Sequence, residues 1–124
     1  MSKKLFGSAE VRVNGALLLT HSGASFDPGG VARATVTGAN SVHGFAESPK
    51  PSKLECEISL RAGQSVSDLG ALDDATITFR SASTGQTWVM RSAWSTEPPT
   101  LTDATDGGKV KLIFEAPPAE EMLS

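Results

Sequence analysis

The side chains that most often carry out catalysis are sparse in this sequence and poorly arranged for it. The two histidines, His21 and His43, lie far apart, and neither has a carboxylate at a fixed spacing. A nucleophile–histidine–carboxylate arrangement is therefore not indicated. The Gly-x-Ser-x-Gly motif of serine hydrolases is also missing. The sequence nominates no catalytic residue and predicts that the protein is not an enzyme.

Metal and phosphate chemistry is equally weakly indicated. Asp103 and Asp106 precede Gly107-Gly108, but they lack the ligand spacing and the closing glutamate of a calcium loop. The pair Gly29-Gly30 is accompanied by neither a dinucleotide-binding pattern nor a P-loop lysine, so a turn is its simplest interpretation. We therefore expect no metal and no cofactor.

Composition narrows the remaining possibilities. The chain has 124 residues and a net charge of −3, with 11 basic and 14 acidic residues, which does not suggest a basic surface for nucleic acid. No apolar run is long enough to cross a membrane, so a soluble intracellular protein is expected. The single cysteine, Cys56, alternates with Leu54 and Ile58 and is predicted to be a buried thiol.

Most of the chain has the two-residue alternation of β-strands. Asn14-Gly15 between residues 10–13 and 16–20 predicts a hairpin. Further strands are predicted over residues 33–37, 53–60, 75–82, 86–94 and 109–115, with Glu55 and Glu57 on the polar side of the second of these. Ser65, three positions before Asp68, predicts the start of one short helix over residues 65–73. Residues 96–108 are expected to form a polar loop, and residues 117–124 a frayed or docked tail.

This order of elements predicts an antiparallel β-sandwich or barrel with one short α-helix, in a single domain over residues 1–124. Its least usual part is a predicted long loop over residues 39–52, which follows the turn at Pro28-Gly29-Gly30 and is closed by Pro49 and Pro51. Loops of this length in compact domains are commonly functional. Because Val42 and Phe45 are apolar residues in a polar segment, we expect the loop to reach a neighbouring subunit; folding back on its own domain is the alternative.

The same segment carries a resemblance to a known family. From Gly29 to Glu57 the chain carries, in this order, Gly29-Gly30-Val31, Arg33, Val36, Gly38, Val42-His43-Gly44-Phe45, Glu47, Pro49, Pro51, Glu55 and Glu57. This order resembles that of the tail tube proteins of Mu-like contractile-tailed phages. The order continues with Asp68-Leu69, Arg91-Ser92-Ala93-Trp94, residues 110–115 and Ala119-Glu120-Glu121. Two departures stand out: Phe45 occupies a position where the family often has tyrosine, and residues 61–65 differ from the family pattern.

The resemblance implies the β-sandwich fold of phage tail tube proteins and a structural role in the virion. Hexameric rings would stack into the inner tube of a contractile tail, through which DNA is ejected. Partners would be further copies of the chain and the tail sheath, tape measure, baseplate and tail terminator proteins, with assembly in the host cytoplasm.

The resemblance also assigns residues. Val42, His43, Gly44, Phe45, Glu47 and Pro49 would belong to the inter-subunit stacking loop, and Gly29, Gly30 and Arg33 to the turn motif. Glu55 and Glu57 would face the lumen, where anionic side chains repel phosphate; simple solvent exposure explains the same alternation equally well.

Two other functions stay open from the sequence. The chain could form the inner tube of a phage-derived contractile bacteriocin or injection machine. It could instead be a stand-alone β-sandwich that binds a ligand through Trp88 and Trp94, although Trp88 lies on an apolar face that is typical of a core.

Overall fold

The computed structural model describes residues 7–21, 23–103 and 108–122, and these are mainly antiparallel β-structure with one short helix, as predicted. The elements in chain order are β1 (Ala9–Val13), β2 (Ala16–Leu18), β3 (Ser25–Asp27), β4 (Gly30–Thr37), β5 (Val42–Lys50), β6 (Ser52–Ser59), α1 (Val66–Gly70), β7 (Ala75–Ser81), β8 (Thr87–Ser95), β9 (Thr100–Thr102), β10 (Lys109–Ala116) and β11 (Glu120–Met122).

Most strands belong to one sheet, in the order β2-β1-β7-β8-β10-β6-β3, with β9 added to β10 and β11 added to β8. The chain beyond β2 returns to β6, where Thr20 forms a bridge with Ile58. Around this bridge the Ser59 amide donates to the Leu19 carbonyl at 2.8 Å, and the His21 amide donates to the Glu57 carbonyl at 2.8 Å. These bonds join the chain after β2, at one end of the strand order, to β6 near the other end, and they close the sheet into a barrel.

The barrel encloses the apolar core. Alternate residues of β1, β6, β7 and β10 point inward and are almost fully buried, and they include Val11, Leu54, Ile58, Ile77, Leu112 and Phe114. Cys56 is buried among them, and this burial raises the pKa of its thiol to about 12. The predicted inward faces of the strands around residues 54–58 and 110–114 are thereby confirmed, as is the buried cysteine.

The first hairpin and the helix start also form as predicted. Asn14 and Gly15 have φ values of 50° and 86°, which suit the tight turn that joins twisted strands. The Asn14 Oδ1 accepts a hydrogen bond from the Thr76 amide at 2.9 Å, fixing the turn to β7. At α1, the Ser65 Oγ accepts a hydrogen bond from the Asp68 amide at 3.2 Å; the helix is shorter than residues 65–73 because it ends at Gly70.

The alternation of β8 is interrupted by a bulge that the sequence did not reveal. Met90 and Ala93 are both fully buried although they are three positions apart. The pairing with β7 slips by one residue between Ala75↔Ala93 and Ile77↔Met90, and Ser92 has a φ of 57°. The extra residue turns the strand and brings Ala93 to the core side.

Three segments predicted to be irregular contain strands. Residues 39–52 are not a loop, because β5 pairs along its length with β4 and only residues 38–41 connect them. The segment 96–108 contains β9, and the tail contains β11, which pairs with β8 of its own chain. Alanine, glycine, serine and proline have low strand propensity, so the composition of residues 42–50 hid a strand that is defined by its backbone pairing.

The strands β3 and β6 continue into β4 and β5 as one long ribbon. The register of Asp27↔Lys53 in the first pair is the same as that of Gly30↔Lys50 in the second, with two residues on each strand between them. We call residues 30–50 the arm, and residues 27–30 with 50–52 the elbow. The ribbon thus carries the arm out of the barrel.

Close backbone contacts and short hydrogen bonds fix the elbow. The Gly29 amide donates to the Asp27 Oδ1 at 2.9 Å, and the Lys50 Nζ lies 2.8 Å from the Asp27 Oδ2. Lys50, and then the Gly29 amide, hold the pKa of Asp27 below its usual value. The buried Ser52 Oγ donates to the Pro117 carbonyl at 2.9 Å, so the elbow is also tied to the segment before β11.

Gly29 allows the elbow to close, and we expect its replacement by alanine to destabilise the fold. Its φ is +73°, and an added Cβ would lie 2.6 Å from the Lys50 carbonyl oxygen and 2.7 Å from the Ser52 amide nitrogen. Strain and collision together should lower the free energy of unfolding by roughly 2–4 kcal/mol. Urea denaturation followed by circular dichroism measures this change.

Gly15→Ala is the matched control, because Gly15 has a φ of +86° with open space around the added Cβ. The Gly15→Ala variant should lose only the part of the free energy of unfolding that comes from backbone strain, about 1 kcal/mol. Equal losses in the two variants would show that the close approach at the elbow does not matter.

Candidate assembly surfaces

The arm is a two-stranded sheet of its own. Within the part of the chain that the structure describes, β4 and β5 pair with each other and with no other strand. Nearly every residue of both strands is exposed; Gly30, Ala32 and Gly44 are half-buried. An isolated two-stranded sheet is only marginally stable in water. The arm therefore has the construction of a segment that gains a second layer from another molecule.

One face of the arm, here called the outer face, carries its long side chains. Cross-strand pairing places Val31, Arg33 and Thr35 opposite Pro49, Glu47 and Phe45 respectively. The Arg33 guanidinium carbon lies 4.7 Å from the centre of the Phe45 ring, and its Nε lies 3.7 Å from the Glu47 Oε1. Phe45 and Val31 are still 57% and 58% exposed. Phe45, Arg33 and Glu47 therefore form a cluster that is already ordered in the single subunit, and the charge of Arg33 is balanced by that of Glu47.

The other face, the inner face, is built from small residues. Its members alternate with those of the outer face and are Ala32, Ala34, Val36, Gly44, Ala46 and Ser48. Val36 is the largest of them and is 43% exposed. The two faces therefore differ in both bulk and charge.

The tip of the arm contains a bulge. The Gly38 amide donates to the Ser41 carbonyl at 2.8 Å, closing the turn. The pairing then slips at His43, which has no partner on β4, and Gly44 takes a φ of 140°. The His43 ring lies against Gly38 so closely that a side chain at that position would collide with it. Val42, beside the bulge, is 69% exposed.

The structure brings the predicted stacking residues together on one strand. Val42, His43, Gly44, Phe45, Glu47 and Pro49 all lie on β5. Gly29 and Gly30 have positive φ, but the predicted tight turn is wrong, because β3 and β4 follow their partner strands β6 and β5 in one register and the glycines form the elbow between them. Arg33 lies further on, within β4. Sequence reasoning missed the contacts of Arg33 with Phe45 and Glu47, because they become visible only once residues 38–41 are identified as the connection of a hairpin.

Glu55 and Glu57 lie on the face of β6 that points away from the core. The Lys53 Nζ is 3.0 Å from the Glu55 Oε1, and this contact lowers the pKa of Glu55 and raises that of Lys53. Lys111 of β10 is directly opposite Glu57. Across both strands this face carries the lysines 53, 109 and 111 and the glutamates 55, 57 and 115, so its charges balance. The face is charged but not acidic overall.

The histidines and acidic residues do not form a reactive site in the described part of the chain. The His21 Nε2 lies 3.1 Å from the Ser59 Oγ, beside the closure of the barrel. Among residues 7–21, 23–103 and 108–122, no group of three or more His, Cys, Asp or Glu side chains could hold a metal ion. Asp106, part of the weak calcium-loop pattern, lies outside the described residues. No helix in these ranges has the length and apolarity to cross a bilayer.

The two tryptophans occupy different environments. Trp88 packs on the core, with its ring centre 6.1 Å from that of Phe26 and 6.3 Å from that of Phe79. Trp94 is 39% exposed. The expectation that Trp88 belongs to the core is thus confirmed.

Comparison with known proteins points to one family. The family model described as phage tail tube protein matches residues 2–121. The tail tube protein of Escherichia phage Mu is 36% identical over 110 residues, which are 89% of this chain and 88% of the Mu protein. The Mu-like prophage FluMu tail tube protein of Haemophilus influenzae is 34% identical over 112 residues, 90% of this chain and 91% of that protein.

Solved structures share the fold at much lower identity. The tube-terminating cap of an anti-feeding prophage superposes with a TM-score of 0.71 at 12% identity, covering 100% of this chain and 95% of the cap chain. A chain of the sheath-tube complex of an extracellular contractile injection system superposes with a TM-score of 0.67 at 14% identity, covering 94% of this chain and 88% of the other. Together with the family model and the two relatives, these findings show that the chain belongs to the phage tail tube protein family.

Proposed function

We propose that this protein is the subunit of the inner tube of a contractile tail, in which hexameric rings stack into a conduit for DNA. The observation that carries the proposal is the arm, a projecting sheet with both faces uncovered in the single subunit. Membership of the tail tube family supports the same function. In a tube built from identical subunits, each copy can cover the exposed arm of the next copy.

The arm supplies suitable contacts for a neighbouring subunit or ring. The contacts of Arg33 with Phe45 and Glu47 hold the two strands of the arm together before assembly, so less entropy is lost on docking. Pro49, near the base of β5, restricts the unbound backbone and reduces the entropy lost on docking. Val42 at the tip adds apolar surface to this contact.

We further propose that the face bearing Glu55 and Glu57 lines the channel. Binding of DNA by phosphate neutralisation requires an excess of basic side chains. A face on which three lysines are matched by three glutamates provides no such excess, so DNA can pass without being held. This explanation replaces the expectation of an acidic, repelling wall at these strands.

In a virion, this tube would lie inside the tail sheath, enclose the tape measure protein during assembly in the host cytoplasm, and end at the baseplate and the tail terminator. A second candidate is the tube of a phage-derived contractile particle without DNA. It is favoured by the superposition on chains from the anti-feeding prophage and the extracellular injection system. Purified particles that carry a DNA-filled capsid would support the first function, and sheathed tubes without capsids the second.

The purified protein is expected to form rings or tubes as its concentration is raised. Burial of the arm against other copies stabilises the assembled form, so association follows mass action. Analytical ultracentrifugation and negative-stain electron microscopy over a range of concentrations test this. A protein that sediments only as monomer at all concentrations and shows no rings would contradict the tube function.

Shortening the arm should leave a folded subunit that no longer polymerises. Replacing residues 33–47 by Asn-Gly joins the strands at the pair Ala32↔Ser48 and keeps both the elbow and the barrel. A cooperative thermal transition like that of the parent would verify the fold, and electron microscopy would then show no tubes. Long tubes from the shortened chain would rule out the arm as the contact.

Reversing two charges on the proposed channel face should make the tube retain DNA. Glu55→Lys with Glu57→Lys removes two negative charges and adds two positive ones, which raises the net charge of a balanced face by four, and phosphate binding then becomes favourable and salt-dependent. Co-sedimentation of tubes with DNA at low and high salt measures the effect. Glu121→Lys, on exposed β11, is the control that should retain less DNA; equal retention by both variants would remove Glu55 and Glu57 from the channel.

A further inference from the structure

We infer that the inner face of the arm packs on a second copy of this chain, while the outer face with Arg33, Phe45 and Glu47 stays in contact with water. This inference rests on the proposed tube function and specifies which side of the arm builds the interface.

The first argument is burial at the base of the arm. Gly30 and Ala32, the inner-face residues of β4 nearest the elbow, are half-buried, whereas Val31 and Arg33 on the outer face are exposed. Ala34, the next residue of the inner face, is exposed. The inner face is thus the side of the arm that is partly covered at its base, and this cover ends before Ala34.

The second argument is the cost of removing each face from water. Arg33 and Glu47 on the outer face are 64% and 49% exposed, with their charged atoms 3.7 Å apart. Burying such a pair carries a desolvation penalty that its own attraction often fails to offset. The inner face has no charged side chain before Lys50, and the Lys50 charge is paired with Asp27 at the elbow. Covering the inner face therefore carries a smaller desolvation penalty than covering the outer face.

The third argument concerns the occupant. A tube repeats one chain, so the layer that covers each arm must be a surface that every copy presents. The inner face has small side chains that allow a second layer of backbone to approach, and Val36 provides apolar area for it. Another copy, placed by the same rotation or translation as all the others, meets this requirement without any additional protein.

Reactivity of neighbouring cysteines distinguishes the two faces. Ala34→Cys places a thiol on the inner face and Thr35→Cys places one on the outer face, at adjacent positions that are both exposed in the subunit. The native Cys56 is buried and its pKa is raised to about 12, so the parent chain gives the background. Each variant is labelled with a small maleimide, once as dissociated subunit and once as assembled tube.

In tubes, we expect the inner-face thiol to react at least about tenfold more slowly than in the subunit, because labelling there must wait for the interface to open. The outer-face thiol should change by less than about twofold, since water and a small reagent still reach it. Tubes that protect the outer face, both faces or neither face would overturn the assignment while leaving the tube function intact. A parent chain that never assembles would instead contradict the tube function, and the assignment would fall with it.

Discussion

Backbone hydrogen bonding extends further in this molecule than its core does, and the rest of the structure depends on that difference. The ribbon formed by β3–β6 and β4–β5 keeps one register from the barrel along the arm as far as the pair Val36↔Gly44, next to the bulge at the tip. Inside the barrel, each pair of strands also buries a face of apolar side chains, which is the main source of stability in folding. On the arm the pairing continues without that burial. The single subunit is therefore complete as a barrel and incomplete as an assembly unit.

The elbow connects the barrel to the arm and fixes the angle between them. Its φ of +73° at Gly29 and the close approach to the Lys50 carbonyl leave no room for a side chain. Asp27 accepts the Gly29 amide and pairs with Lys50, while Ser52 reaches the segment that leads to β11. Each of these contacts is local, yet together they set the direction in which the arm leaves the barrel. In the proposed tube, an arm that meets a neighbouring copy needs a fixed direction, because a flexible one would lose entropy on every contact.

Positive and negative side chains balance each other on the charged face of β6 and β10 and on the outer face of the arm, so neither face attracts oppositely charged molecules. Lysines lie opposite glutamates across β6 and β10 at the pairs Lys111↔Glu57 and Glu115↔Lys53, and Arg33 is paired with Glu47 on the arm. Exposed ion pairs of this type contribute little to stability. Their effect is on association: in the proposed tube they keep these faces hydrated and without excess charge, so the uncharged inner face of the arm, with Val36, is left as the surface that favours contact with other copies.

The sequence by itself was sufficient for the parts of the protein in which local patterns and burial agree. Asn14-Gly15 determined a hairpin, the alternation from Leu54 to Ile58 determined a half-buried strand, and Ser65 determined a helix start. The order of residues from Gly29 to Pro51 indicated the tail tube family, which the comparisons then showed.

Tertiary structure decided the rest, because the decisive information there is pairing between distant segments. Apart from Val42 and Phe45, the residues of β5 do not favour strands, and they form no continuous apolar face. Its register with β4 therefore defines the strand, and the Arg33 contacts with Phe45 and Glu47 depend on that register. The bulge at Ser92 broke an alternation that otherwise fits the sequence. The balance of charge around Glu55 and Glu57 arises from lysines of β10 that are remote in the chain, and it becomes apparent only when the two strands lie side by side.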